Sequence, residues 1–269
     1  MTNKLDIYKT RVQQAFSKQA ASYDKHAGLQ AYAAGHSAEL LSSLMLRSAV
    51  PDGAVLEIGC GTGLFSSKLL KLFPDRPIVC SDISDDMLDA CRLRLASQAA
   101  YDDRVRFLNL DAEYLDEENK YAVIASSFAL QWFFEPMEGL LRLCAALKPG
   151  GLLLFSLPGA DSCPEWKAAT DFLQIPFTRN PLPSTTELQK LAIRSGMEFR
   201  FNDHMVEETF VDARAMLRSL KELGANTQRH NLQLSCMQLR RLLAELDRQG
   251  KPLRTNYQVI AGYFRRCRA

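Results

Sequence analysis

An acidic residue and three glycines at alternate positions form the segment of this sequence that is best suited to bind a small ligand. Glu57 stands two positions before Gly59, and Gly61 and Gly63 complete a G-x-G-x-G spacing that includes Cys60. Glycine has no Cβ, so a loop built from it can approach a ligand closely. The spacing differs from the G-x-G-x-x-G of dinucleotide-binding loops. The nearby carboxylate favours a ligand that carries a positive charge rather than a phosphate.

Two further acids follow short apolar runs, where each could accept hydrogen bonds from the same ligand. Asp82 ends the run 77–81, and an acid at the end of a second strand can accept both hydroxyls of a ribose. Asp111 and Ala112 follow the run 105–110. A side-chain acceptor at this point could meet an adenine amino group.

These groups together fit S-adenosylmethionine, whose sulfonium and ammonium groups favour neighbouring carboxylates. Each group alone could be a surface turn or a solvated acid, and their order at the ends of successive strands is what favours binding. The sequence therefore predicts that the cofactor is held by Glu57, Gly59, Cys60, Gly61, Gly63, Asp82, Ile83, Met87, Asp111, Ala112 and Ser127.

Apolar runs alternate with helical periodicity along the chain, which predicts the elements that position these residues. The predicted strands are 55–58, 77–81, 105–110, 121–127, 152–157, 197–210 and 257–264. The predicted helices are 7–23, 30–46, 64–73, 84–99, 136–147, 184–195, 211–223 and 235–247. We expect a turn at 148–151 and a cap or long substrate loop at 159–184. The alternation indicates an α/β fold with a Rossmann-like, mostly parallel sheet of seven strands and helices on both faces.

A chain of 269 residues, 47% of them hydrophobic, can bury the core of one large α/β domain. We interpret 1–48 as N-terminal lid helices, 49–158 as the cofactor-binding core, and 159–269 as a substrate cap with insertion helices and the last strands. No run of 18 apolar residues and no signal-peptide pattern occurs, so we expect a cytoplasmic protein without a membrane partner. The seven cysteines include no C-x-x-C pair, so we expect no metal.

The cofactor motifs, with the segment 128–133 after the fourth strand, resemble those of class I S-adenosylmethionine-dependent methyltransferases over about residues 50–160. Three other segments, 11–24, 127–132 and 218–226, resemble the biotin-synthesis methyltransferases that act on malonyl-acyl carrier protein. With the last strand, this resemblance spans nearly the full length. The glycine loop departs from many members of that family, which have aspartate and proline in it.

The resemblance implies O-methylation of the free carboxylate of a malonyl thioester on acyl carrier protein, or on coenzyme A, for biotin synthesis. A carboxylate is ionised near neutral pH and is itself the nucleophile, so no general base is needed. The enzyme has to exclude water and to align the oxygen, the methyl carbon and the sulfur.

Five residues outside the cofactor motifs are candidates for contact with the acceptor. Arg218 and Lys221 are three positions apart on a predicted helix, where they could grip a carboxylate together. Gln131 and Trp132 follow the fourth strand, where methyl group and acceptor should meet, and Tyr23 lies on the predicted lid helix. Each has an ordinary alternative: a solvated cationic face, a core aromatic, or a hydrophobic contact of the lid.

The net charge of +2 conceals a basic end, because residues 214–269 contain twelve Lys or Arg and three Asp or Glu. Such an excess can attract an acidic macromolecular partner, and carrier proteins are generally acidic. The alternative is a set of solvated helix faces. We expect the mouth of the acceptor pocket to be bordered by some of Arg229, Arg240, Arg241, Arg248, Lys251 and Arg254.

Three other functions are compatible with the cofactor half alone. The first is methylation of another small carboxylic acid or a quinone precursor, and the second is cofactor binding by a regulatory protein without catalysis. The third, nucleic-acid methylation, is disfavoured because no Asn-Pro-Pro-Tyr-type motif, suitably placed catalytic cysteine motif or appended binding module occurs. We therefore expect no nucleic-acid partner.

Overall fold

The computed structural model describes residues 4–98, 101–229 and 233–268, in which seven strands form a single sheet. The strands are β1 (Ala54–Ile58), β2 (Ile78–Asp82), β3 (Val105–Asn109), β4 (Tyr121–Ser127), β5 (Leu147–Pro158), β6 (Glu198–Phe210) and β7 (Leu253–Arg265). Their order is β3-β2-β1-β4-β5-β7-β6. Strands β1 to β5 pair in parallel, and β7 runs antiparallel to both β5 and β6. The predicted mostly parallel, seven-stranded Rossmann-like sheet is confirmed.

Helices cover both faces of this sheet. They are α1 (Lys4–Gln19), α2 (Gly28–Arg47), α3 (Ser66–Leu72), α4 (Asp85–Ala96), α5 (Pro136–Ala146), α6 (Pro164–Phe172), α7 (Thr185–Arg194), α8 (Ala213–Glu222) and α9 (Cys236–Gln249). Short 3-10 helices occur at Tyr23–Lys25, Ala112–Tyr114 and Leu130–Trp132. Helix α7 begins at a capping box formed by Ser184 and Glu187, and this pair satisfies backbone N–H groups that the first turn leaves free.

The core is divided by the sheet into two apolar clusters. Leu56 and Ile124 face the cluster that α5 and α7 cover, whereas their neighbours Val55 and Val123 face the one that α2, α3 and α4 cover. Successive side chains of a strand point to opposite faces, so a strand covered on both sides is apolar throughout. This explains why the inner strands read as continuous apolar runs and why the polar site residues occur only at strand ends.

Two parts of the chain differ from their predictions. The expected turn at 148–151 belongs to β5, whose pairing with β4 shifts register between Tyr121 and Val123. The expected loop at 159–184 contains α6, with Pro164 in its first turn, where a proline is tolerated. Helices α6, α8 and α9 share a small buried cluster with the start of β7. They form a helical cap beside the carboxyl ends of the central strands.

Candidate active site

The glycine loop follows β1 and turns through backbone conformations that favour glycine. Gly59, Gly61 and Gly63 have φ values of +66°, +52° and +87°. A Cβ at Gly59 would lie 2.3 Å from the Cβ of Ala129, so a side chain does not fit there. One at Gly63 would lie 3.0 Å from the sulfur of Cys91, which places Gly63 against α4. The left-handed backbone at all three positions, and the close packing at Gly59 and Gly63, explain why glycine recurs at alternate positions of the loop.

Two buried carboxyl groups lie beside this loop. Glu57 is only 1% exposed, and its Oε2 has no hydrogen-bond partner among the described residues. Burial raises the pKa of Glu57 well above its usual value. Asp82 accepts hydrogen bonds from the backbone N–H groups of Gly61 and Ser84, each at 2.9 Å. Its pKa is nevertheless raised to about 6, chiefly by burial. A ligand that brings a cation and hydroxyl donors would satisfy both groups.

The cavity above the loop gathers most of the residues predicted to hold S-adenosylmethionine. Gly63 packs behind the loop and is not part of the wall. The predicted residues that do line the cavity are Glu57, Gly59, Cys60, Gly61, Asp82, Ile83, Met87, Asp111, Ala112 and Ser127. The unpartnered Oε2 of Glu57 and the glycine backbone make this wall suitable for the charged methionine end of that molecule.

Helix α1 closes one side of the cavity through a buried lysine that sequence reasoning missed. Nζ of Lys9 lies 2.9 Å from Oδ1 of Asp111 and 2.5 Å from Oε2 of Glu113. Glu113 also accepts hydrogen bonds from the backbone N–H groups of Phe134 and Glu135. The lysine thus joins the N-terminal helix to the end of β3 and to the segment after β4.

A second set of bonds attaches the segment after α1 to the glycine loop. Thr62 donates a hydrogen bond of 2.6 Å from Oγ1 to Oδ1 of Asp24, and the Arg94 guanidinium pairs with the same carboxylate. Nearby, the hydroxyl groups of Ser17 and Ser84 share a hydrogen bond of 2.8 Å. The N-terminal segment therefore lies over the cofactor cavity and is fastened to its rim.

A larger cavity of about 520 Å³ adjoins the cofactor cavity and extends under the helical cap. Phe128 lies at the junction with a φ of +53°, which is strained for a bulky residue and is typical of functional sites. A strained backbone at this point favours the interpretation that the cavity wall is shaped to bind a ligand. The residues that line both cavities are Phe16, Tyr23, Gln30, Phe128 and Trp132.

Three of the predicted acceptor residues lie at or near this junction. Tyr23 and Trp132 line both cavities, and Phe16 lies between them with its ring centroid 5.3 Å from that of Trp132. Gln131 lines the larger cavity, where its Nε2 donates to the carbonyl of Phe128 at 2.7 Å and its Oε1 has no partner among the described residues. Burial and the carboxylates of Asp82 and Asp24 raise the pKa of Tyr23, so its hydroxyl stays protonated.

The other two predicted residues, Arg218 and Lys221, do not line either of these cavities. Helix α8 buries Ala213 and Met216, and both cations lie on its exposed side. The physical reason is helical periodicity, because positions 218 and 221 fall away from the apolar side that faces the cap.

Arg179 is the cation that the described residues place in the wall of the larger cavity. Its two terminal nitrogens donate to the carbonyls of Ser162 and Ala160, at 2.5 and 2.8 Å, and its buried Nε has no partner among the described residues. Burial lowers its pKa, although the guanidinium remains charged. Sequence reasoning missed it; the available signal was a single cation within the proline-rich stretch 173–184.

The basic residues expected around the mouth of the acceptor pocket mostly have other partners. Arg229 donates from Nη2 to the carbonyl of Gln131 at 2.7 Å. Arg240 and Arg241 are exposed on α9. The remaining three form ion pairs: Arg248 with Glu245, Lys251 with Asp247, and Arg254 with Glu207.

The described part of the chain contains no cluster of three or more His, Cys, Asp or Glu side chains that could hold a metal ion. Of the four histidines, His230 lies outside the described residues. No described helix is both long enough and apolar enough to span a membrane.

Comparison with known proteins identifies the family. Residues 56–153 match a family model described as a methyltransferase domain. A protein of Ilyobacter polytropus, malonyl-acyl carrier protein O-methyltransferase 2, is 31% identical over 228 residues, which is 84% of each chain. The chain belongs to the malonyl-acyl carrier protein O-methyltransferase family. It is thus a methyltransferase, as the glycine loop and the acids at the strand ends predict.

Other members of the family match over most of this chain. The family protein of Magnetococcus marinus is 28% identical, with 92% of this chain and 89% of that protein covered. The biotin biosynthesis bifunctional protein BioCD of Bordetella avium is 34% identical over 256 residues. That match covers 94% of this chain and 52% of the relative, so the chain spans about half the length of the bifunctional protein.

Solved structures show the same fold at low sequence identity. The YcgJ protein of Bacillus subtilis superposes with a TM-score of 0.63 at 16% identity, covering 87% of this chain and all of that one. Magnesium protoporphyrin IX methyltransferase of Synechocystis, solved with bound S-adenosylhomocysteine, gives a TM-score of 0.59 at 14% identity, with 96% and 99% coverage. These likenesses support the class I methyltransferase fold of the family.

Proposed function

We propose that this protein transfers the methyl group of S-adenosylmethionine to the free carboxylate of a malonyl thioester on acyl carrier protein. The product is the malonyl methyl ester that biotin synthesis uses. The observation that carries the proposal is the junction at Phe128, where the cofactor cavity meets a separate cavity that contains a partly buried guanidinium. The names of the relatives, which match over most of this chain, support the same acceptor.

Three acids would hold the methyl donor. Glu57, with its unpartnered buried oxygen, would accept hydrogen bonds from the ammonium group of the methionine end. Asp82 would accept hydrogen bonds from the ribose hydroxyls. It would use the lone pairs that its hydrogen bonds with two backbone N–H groups leave free. Asp111 and Ala112 would lie against the adenine. The glycine loop allows the close approach because no Cβ stands between backbone and ligand.

The sulfonium group of S-adenosylmethionine supplies an electrophilic methyl carbon. A carboxylate oxygen forms the new C–O bond as the C–S bond breaks, and no proton has to move. The negative charge of the carboxylate and the positive charge of the sulfonium are neutralised as the methyl group is transferred. Water that solvates both charges would therefore oppose the reaction. Phe16, Phe128 and Trp132 provide an apolar wall at this point, and the lid formed by α1 closes it from solvent. These residues contribute by excluding water and aligning the reactants.

The malonyl carboxylate has to be oriented without losing its nucleophilicity. We assign this task to Arg179 rather than to Arg218 and Lys221, since only Arg179 of the three lines the acceptor cavity. Two backbone carbonyls fix its guanidinium, so its positive charge is held in the wall of the cavity that would receive the carboxylate. Tyr23 and Gln131 bring further polar groups to the same region.

The test is a methyl-transfer assay with labelled S-adenosylmethionine and matched acceptors. Malonyl-carrier protein is compared with malonyl-coenzyme A, free malonate and succinyl-carrier protein, and the ester is identified by mass spectrometry. We expect the malonyl-carrier substrate to have the highest kcat/KM. Transfer to none of these acceptors, or equal transfer to malonyl and succinyl carriers, would overturn the proposal.

A further inference from the structure

A third cavity, of about 410 Å³, lies between α1 and the end of α8, and its charged lining residues are all cations. They are Arg11 and Lys18 of α1 and Lys221 of α8, and the other described residues that line it are uncharged. Arg11 and Lys18 are seven positions apart, two helical turns, so they project from the same side of α1. The charge of this lining favours an anion over a metal ion or an apolar group.

Close packing of two backbones builds this cluster. Gly224 lies just after α8 with a φ of +71°, and a Cβ there would lie 2.9 Å from the carbonyl oxygen of Ala15. The end of α8 therefore approaches α1 more closely than a residue with a side chain would allow. This approach brings Lys221 to the cavity that also contains Lys18, although the two are distant in sequence.

The two lysines are available to a ligand. Both are exposed, and neither forms an ion pair within the part of the chain that the structure describes. The acid that follows Lys221, Glu222, has its carboxylate 3.4 Å from Nδ1 of His26 instead. Two lysines that share a polar cavity without an acid repel each other, and a bound anion would relieve that repulsion.

The basic cavity adjoins the acceptor cavity. Four residues line both: Asn226, Thr227, Gln228 and Gln233. Amide and hydroxyl side chains can donate and accept hydrogen bonds, which suits a linear ligand with amide groups of its own. These four residues form a neck between the three cations on one side and the cavity that contains Arg179 on the other.

We propose that the basic cavity, with Lys18 and Lys221 as its ligands, binds the phosphate of the phosphopantetheine arm that carries the malonyl group. This inference rests on the proposed function, which requires a thioester acceptor on such an arm. The arm's phosphate would lie at the lysines, its two amides would lie in the neck, and the malonyl group would reach Arg179. Lysine is a common ligand of phosphate groups. Lys221 thus holds the distal end of the acceptor, rather than the carboxylate that the sequence suggested.

The experiment compares two small acceptors that differ only in the phosphate, malonyl-4′-phosphopantetheine and malonyl-pantetheine. We expect the wild-type protein to favour the phosphorylated acceptor about tenfold in kcat/KM. In the double variant Lys18→Gln/Lys221→Gln this ratio falls towards one. A matched control, Lys71→Gln/Lys190→Gln, removes the same charge from exposed lysines elsewhere and keeps the wild-type ratio.

A binding measurement separates this inference from the proposed function. Calorimetry with 4′-phosphopantetheine and with pantetheine, both without malonyl, needs no methyl transfer. Tighter binding of the phosphorylated compound, lost in the double variant, supports the site even if neither malonyl compound is methylated. Equal binding of the two by the wild-type protein, or a phosphate preference that survives in the double variant, overturns it. Methylation of both acceptors at equal efficiency also overturns it, while leaving the proposed reaction intact.

Discussion

Nζ of Lys9 lies 2.9 Å from Oδ1 of Asp111, and this contact joins the N-terminal helix to the wall of the cofactor cavity across 102 residues of sequence. The side chains of both residues are largely buried, as is that of Glu113, which the same lysine contacts. Asp111 therefore meets the lid on one side and faces the cavity on the other. In the site that we propose, this one carboxylate would couple the position of α1 to the binding of the adenine.

Replacement of Lys9 by methionine should destabilise the protein and loosen the lid. Two mostly buried carboxylates would lose their cation, and such loss typically costs about 1–3 kcal/mol in the free energy of unfolding. We also expect weaker binding of S-adenosylhomocysteine, because α1 would be less firmly held over the cavity. Urea unfolding and calorimetry measure the two effects. Lys4→Met, an exposed position on the same helix, is the control, and a Lys9 variant as stable as this control would contradict the role.

Gly59→Ala should abolish cofactor binding, whereas Gly35→Ala should not. At Gly59 the added Cβ would lie 2.3 Å from the Cβ of Ala129, and the φ of +66° disfavours any side chain. Gly35 lies within α2 with nothing within 4 Å of its added Cβ, so alanine there should raise the free energy of unfolding by about 0.5–1 kcal/mol. Thermal unfolding with and without S-adenosylhomocysteine tests both variants. A ligand-induced shift that persists in Gly59→Ala would show that the loop does not hold the ligand.

Local sequence predicts the sheet and the cofactor loop because their causes are local. Apolar runs that are covered on both faces produce β1 and β4, and glycine occupies the three positions of the loop where φ is positive. Arg179 and Lys9 carry no such local signal, since each acquires its surroundings from segments distant in the chain. Their roles appear only once the lid and the cap are packed against the sheet.

Arg218 and Lys221 do not line the acceptor cavity that the sequence analysis predicted for them. The reason differs from the one that applies to Arg179 and Lys9. Apart from Ala215, the apolar residues of this segment stand at 213, 216, 217, 220 and 223, a spacing that defines one side of a helix. Positions 218 and 221 lie off that side, so the sequence did contain the evidence that both cations face away from the cap. Resemblance to a motif identified the segment, while periodicity determines which of its residues meet the acceptor cavity.

Binding of S-adenosylhomocysteine should strengthen as the pH rises from about 5 to about 8. Burial raises the pKa of Asp82 to about 6 and that of Glu57 well above its usual value, so in the empty site both carboxyl groups keep their protons to a higher pH than exposed acids do. A ligand that donates hydrogen bonds to the ionised carboxylates binds best above these pKa values. The stability of the ligand-free protein depends on pH in the opposite direction. The contribution of Asp82 to stability falls as pH rises from about 4 to about 6, because the folded state then holds more protons than the unfolded one.

The measurement is the ligand-induced shift in melting temperature across this pH range. Glu57→Gln, which cannot ionise, should bind more weakly and should flatten the pH dependence that Glu57 contributes. A shift of equal size at about pH 5 and at about pH 8 in the wild-type protein would contradict the prediction, since neither acid would then need to ionise.

Replacement of Arg179 should separate acceptor binding from cofactor binding. Arg179→Gln removes the cation from the acceptor cavity, and we expect kcat/KM for the malonyl thioester to fall by about 10–100-fold, as for the loss of a charged hydrogen bond. Arg179→Lys keeps the charge but loses the rigid fork that the carbonyls of Ala160 and Ser162 hold, so it should restore only part of the activity. Affinity for S-adenosylhomocysteine should be unchanged in both, which also verifies that the variants are folded. Lys167→Gln, on the exposed side of α6, is the matched control.

A second measurement distinguishes a carboxylate-binding arginine from one that merely supports the cap. The wild-type protein should bind the malonyl thioester more tightly than the corresponding malonamyl thioester, in which a neutral amide of nearly the same shape replaces the carboxylate. In Arg179→Gln this preference should disappear, because the cation that recognises the charge is gone. A structural role alone would weaken binding of both compounds equally and would leave their ratio as in the wild type. That outcome would remove Arg179 from the acceptor site and would leave the junction at Phe128 without a cationic partner for the carboxylate.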